Sequence, residues 1–101
     1  MQQMTHASAT FTTTDDVCTA LLAFVGSIAA RGHSESVAIP ALRVDGQVVE
    51  VRMTVNANSA FVVVPVDADP QDERALLAAS ESVVIELRKR SAASRQDAER
   101  R

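Results

Sequence analysis

The period of apolar and polar positions changes twice along the chain. From Val17 to Ala29 apolar residues recur at helical spacing. Val17, Leu21, Phe24 and Ile28 make one face, and Cys18, Leu22, Val25 and Ala29 the neighbouring one. Thr14 can cap this helix, Asp15 and Asp16 sit in the first turn where the helix dipole favours carboxylates, and Gly32 supplies a stop near Arg31. Only Thr19, Ser27 and small residues interrupt the apolar surface. Such a helix needs cover on most sides, more than one sheet face can give.

Between residues 36 and 66 the period shortens to two. The clearest strand is Gln47 to Val55, where Val49, Val51, Met53 and Val55 alternate with Val48, Glu50, Arg52 and Thr54. Two prolines constrain its neighbours, because proline cannot donate a ladder hydrogen bond. A three-residue loop Val44-Asp45-Gly46, with Gly46 left-handed, sets Pro40 opposite Glu50 at a non-hydrogen-bonded position. A four-residue loop at 56–59 sets Pro65 opposite Glu50 from the other side. In this register Val37, Ile39 and Ala41 lie beside Val49, Val51 and Met53, and these beside Val62, Val64 and Val66. The opposite face is mixed: Ala38, Pro40, Leu42, Val48, Glu50, Arg52, Thr54, Phe61, Val63 and Pro65.

Helical spacing returns after Asp69, which can cap a helix with Pro70 at its first position and Asp72 and Glu73 in its first turn. Leu76, Leu77, Val83, Val84 and Leu87 share one side and Ile85 lies opposite. Glu86 and Arg90 are spaced for a favourable pair. A strand over 82–88 is the rival reading. Residues 1–13 carry no period and are expected to be a flexible arm, with a short strand over Thr10 to Thr13 as the alternative, and 92–101 a charged flexible tail. The expected fold is α+β: helix, three-stranded antiparallel meander, helix (α-β-β-β-α), in one domain spanning 14–91.

Composition narrows the function classes. The apolar fraction is 47% and the charged fraction 23%, values of an ordinary globular domain. Three Phe, with no Trp or Tyr, leave little for the aromatic platforms that bind single-stranded nucleic acid or sugars. One cysteine allows no internal disulfide, and the first residues lack a signal-peptide pattern. The longest apolar stretch, Val17 to Ala30, falls short of the roughly 20 residues of a membrane span. These features point to the cytoplasm and away from a membrane. The net charge of −3 is uneven: residues 88–101 hold six basic and two acidic groups, the remainder four and eleven. Arg88, Lys89, Arg90 and Arg95, with Arg100 and Arg101, are a candidate contact for an acidic partner.

Candidate chemistry is sparse. Cys18, His6 and His33 have no zinc spacing. Cys18 lies one turn into an apolar helix beside two carboxylates, which disfavours a thiolate. Three glycines make no phosphate loop. Glu50 and Arg52 read as a surface ion pair. No catalytic residue, metal or cofactor is expected.

The apolar surface of the first helix and the half-apolar second sheet face exceed what so short a chain can cover, so a homodimer is expected. The order helix, three antiparallel strands, helix, on an acidic dimer, resembles the small chaperones of bacterial secretion systems. That resemblance is one of element order, and it implies an adaptor that binds another protein. The chain is therefore expected to be a non-enzymatic binding or regulatory protein, a homodimer, using a face with Leu42, Val48, Glu50, Arg52, Phe61 and Val63. The alternatives are a nucleic-acid-associated regulator using the basic helix end, and a small enzyme or enzyme subunit.

Overall fold

A computed structural model describes residues 1–99. Its elements are β1 (Gln2–His6), β2 (Ala9–Thr13), α1 (Asp15–Ala29), β3 (Glu35–Leu42), β4 (Val48–Val55), β5 (Val62–Pro65) and α2 (Pro70–Glu99). The fold is α+β, but the sheet has five antiparallel strands in the order β4-β3-β2-β1-β5. The expected three-stranded meander is thus overturned, and with it the element order that carried the likeness to secretion chaperones.

Residues 2–13 are not a loose arm. They form the β1–β2 hairpin inside the sheet, with Met4 opposite Phe11 and both buried. The hairpin turns through Ala7 (φ 51°) and Ser8 (φ 70°), two left-handed residues that carry a Cβ.

The β3–β4 hairpin has the register the prolines demand. Pro40 faces Glu50, Ile39 faces Val51 and Val37 faces Met53. The Gly46 N–H donates to the Arg43 carbonyl (3.0 Å), the Arg43 N–H donates to the Gln47 carbonyl (2.9 Å), and Gly46 is left-handed at φ 84°. β3 meets β2 only at Leu42–Thr12, because β2 ends at Thr13. Pro40 therefore meets no strand donor on that side. Its carbonyl accepts instead from the Thr13 hydroxyl at 2.8 Å.

β5 is where the register fails. Pro65 pairs with Gln2 and Val63 with Met4, so β5 lies at the sheet edge farthest from β4. Asn56 to Ser59 do form a turn, closed by the Ser59 N–H on the Asn56 carbonyl (3.0 Å), but the chain leaves it for the opposite edge. Val62 and Val64 consequently face outward, and Val63 packs on the core with Phe61.

Both helix starts follow the capping chemistry. The Thr14 hydroxyl accepts from the Val17 N–H (3.1 Å), and the Asp69 carboxylate accepts from the Gln71 N–H (2.8 Å). α2 is a helix throughout 82–88 and continues to Glu99, past the expected end at 91. Its 30 residues are about 45 Å long at 1.5 Å per residue, matching the longest dimension of 46 Å. The segment beyond residue 91 is not a free tail. Ser91 and Ser94 are buried, the Ser94 hydroxyl donates to the Ser27 carbonyl (3.2 Å), and Arg31 pairs with Asp97 (3.4 Å). Small serines at this seam let two helices approach closely where larger apolar residues would hold them apart. Arg100 and Arg101 lie outside the described residues.

α1 is covered from two sides, by the sheet and by α2. Val17, Cys18, Leu21, Phe24 and Ile28 are all buried, and Leu22 alone of its large apolar residues is exposed. The apolar excess of α1 is thus satisfied within one chain. On α2, Leu76, Val84 and Leu87 are buried as expected, whereas Leu77 turns to solvent with Ile85. The expected Glu86–Arg90 pair does not form. Arg90 lies over the Phe24 ring (4.5 Å) and reaches Glu35 (3.4 Å) and the Ser36 carbonyl (3.1 Å).

Candidate interaction surface

α2 crosses the core face of the β3–β4 hairpin and covers β3 better than β4. Val37, Ile39 and Ala41 of β3 are at most 4% exposed, while their β4 partners Val49, Val51 and Met53 are only half-buried. β4 is also a terminal strand of the sheet, eight residues long and free of proline.

The ladder pattern shows which of its backbone groups are unpartnered. Arg43–Gln47 is a hydrogen-bonded pair, and such pairs alternate with non-bonded ones. Leu42–Val48, Pro40–Glu50, Ala38–Arg52 and Ser36–Thr54 are then the non-bonded pairs. The N–H and C=O groups of Val48, Glu50, Arg52 and Thr54 accordingly point away from β3, into the open edge. Unpaired strand groups in a row are a template for another strand.

Of the residues expected to make one interaction face, Leu42, Val48, Glu50 and Arg52 do lie together on the outer face of β3–β4. Phe61 and Val63 do not join them: Val63 of β5 and Phe61, just before that strand, pack against the core, and the Phe61 ring stacks on His6 at 4.5 Å between centroids. Glu50 and Arg52 form an ion pair at 2.8 Å, with side chains 55% and 81% exposed, so the pair itself contributes little stability.

Among the described residues, the basic side chains expected to share one contact do not make a single patch. Arg88, Lys89 and Arg90 are consecutive in a helix, which spreads them around its circumference. Arg90 is engaged by Phe24 and Glu35. Arg88 lines a groove of about 390 Å³ with Asp16, Leu77, Glu81 and Ile85, where two carboxylates offset its charge. Arg95 is exposed one turn before Glu99.

The groups that carry most chemistry are separate. Cys18 is buried, and burial, then the nearby Asp15 carboxylate, pushes its thiol above the usual range, away from a nucleophilic thiolate. Asp15 is held below the usual carboxylate range by the Met1 amino group at 3.0 Å and then by the Gln2 amide. Among the described residues no group of three His, Cys, Asp or Glu side chains converges as a metal site, and no helix is long and apolar enough to cross a membrane.

Comparison of the chain with protein-family models, with curated proteins and with solved structures finds no match.

What the sequence reading missed is that β4 is an edge. Its alternating pattern defines a half-buried strand without saying whether one neighbour flanks it or two. The available signal was the N-terminal segment, where Thr10, Thr12 and Thr13 have strand propensity and compete for the place beside β3.

Proposed function

We propose that this chain is a non-enzymatic protein-binding or regulatory protein that works through protein–protein contact as a homodimer in the cytoplasm. The observation that carries the reading is the β4 edge. It combines eight strand residues, a run of outward backbone donors and acceptors, and three half-buried apolar side chains at its rim. A strand from another chain would satisfy the backbone and complete the burial of Val49, Val51 and Met53 in one step. A single buried cysteine fits a reducing compartment. The test is the solution mass. Light scattering after size exclusion should give about twice the 10.8 kDa chain mass at micromolar concentration. A monomer up to about 100 μM, well above ordinary working concentrations for a micromolar contact, overturns the homodimer.

A further inference from the structure

We infer that two copies join edge to edge through β4, antiparallel, about a two-fold axis at Val51. This register rests on the protein-contact reading above and goes further by naming which residues meet.

Geometry and charge select the register. Opposed residues in a continuous antiparallel sheet lie on the same face, and Val49, Val51 and Met53 must stay on the core side in both copies. The axis therefore falls on a residue of β4. At Glu50 it would oppose two carboxylates, and at Arg52 two guanidinium groups, each destabilising. At Val49 or Met53 the strands would overlap over only part of their length. At Val51, near the middle of Val48–Val55, they overlap along nearly the whole strand.

That axis sets Glu50 of each copy against Arg52 of the other. With the ion pair already present within the strand (2.8 Å), the four charges alternate in sign around a square. Both residues present outward backbone groups, so each cross-pair is also a hydrogen-bonded pair of the ladder. On the core face Val51 meets its own copy and Val49 meets Met53, closing the half-buried rim over apolar contacts.

Charge reversal tests the register in the full-length protein. Glu50→Arg faces two like-charged pairs across the axis, as does Arg52→Glu. Each should weaken self-association about tenfold or more, from two cross-strand pairs changed in sign. The double variant Glu50→Arg/Arg52→Glu restores opposite charges and should recover the parent's association. Mixing the two single variants should give a heterodimer in preference to either homodimer, and added salt should diminish these differences. Circular dichroism should show all three variants folded, since both side chains are exposed. If the parent is dimeric but the reversals leave its association unchanged, or the double variant fails to recover it, the copies join elsewhere. The Leu77–Ile85 side of α2 is one such place, and the Val51 register is then overturned while the protein-contact reading stands. A monomeric parent overturns the register together with the homodimer.

Discussion

The sheet ends in two open strands, and the chain treats them differently. β5 is four residues long and closes with Pro65. The Val66 N–H donates to the Met1 carbonyl (3.0 Å), so Met1–Val66 is a hydrogen-bonded pair and Gln2–Pro65 is not. The backbone groups that β5 turns outward thus belong to Val63 and Pro65, and Pro65 has no N–H. That edge can offer a visiting strand almost no donor. β4 is twice as long, has no proline and presents donors at every second residue. Its only charges, Glu50 and Arg52, are opposite in sign. They repel a second copy in some registers and attract it in the one centred on Val51. Short length and proline are the usual means of blunting an edge. Their presence on β5 and absence on β4 is the strongest internal argument that β4 is an edge kept for a partner.

The sharpest way to break this comparison is to put proline on the two sides of β4 in turn. The Val51 N–H points toward Ile39, so Val51→Pro removes a ladder bond inside the sheet and should cost about 3 kcal/mol in a denaturant titration. The Arg52 N–H points into the open edge. Arg52→Pro should leave the folded chain stable to within about 1 kcal/mol and abolish the dimer, as judged by light scattering. Equal destabilisation by the two would mean that the edge assignment within β4 is wrong.

A smaller effect is expected from the element that makes the edges unequal. α2 lies over β3 and anchors its far end through Ser94 on Ser27 of α1 and through Asp97 on Arg31, just beyond that helix. Ending the chain at Ser91 removes the Ser94–Ser27 hydrogen bond and leaves the mostly buried Arg31 guanidinium, 18% exposed, without its carboxylate. The expected cost is about 2 kcal/mol, or roughly 10 °C in melting temperature for a domain of this size. A melting curve superimposable on that of the full chain would show that the last turns carry no packing.

Much of this fold was legible in local chemistry. Thr14 and Asp69 announced the helix starts. Pro40 with Gly46 set the β3–β4 register residue by residue, because a missing donor and a left-handed turn leave one solution. The same reasoning misplaced β5 because Phe61-Val62-Val63-Val64 is apolar at every position. A period of two cannot be read from such a run, and Pro65 is satisfied equally well at either edge of a sheet. The assumption that consecutive strands are neighbours then decided the matter wrongly. The end of α2 was misread for a related reason. Ser91 and Ser94 are polar by composition, yet small enough to seat a helix against Ser27, and no apolar stripe marks such a seam. The placement of the expected face was half legible: that Leu42, Val48, Glu50 and Arg52 share one side of the sheet follows from the alternation of two strands, whereas the positions of Phe61 and Val63 depended on the misplaced third.

The β1–β2 hairpin was hidden by its turn, and the smallest predicted effect lies there. Among the described residues β5 pairs with β1 alone, so the blunted edge depends on a two-residue connection from His6 to Ala9. Such turns need both central residues left-handed, which Asn-Gly provides readily. Ala7 and Ser8 adopt that conformation at φ 51° and 70°, each with a Cβ that costs about 1 kcal/mol there. Both side chains are exposed, so replacing them alters backbone preference and little else. Ala7→Asn with Ser8→Gly should remove most of the penalty, offset in part by the greater freedom glycine gives the unfolded chain. The expected net gain is about 1 kcal/mol in a denaturant titration. Solution mass should not change, because this hairpin stands on the β5 side of the sheet. A gain in stability with an unaltered dimer would separate the two edges as physical units. An unchanged midpoint would mean that the turn is not left-handed. Loss of the dimer would place the contact at the wrong edge.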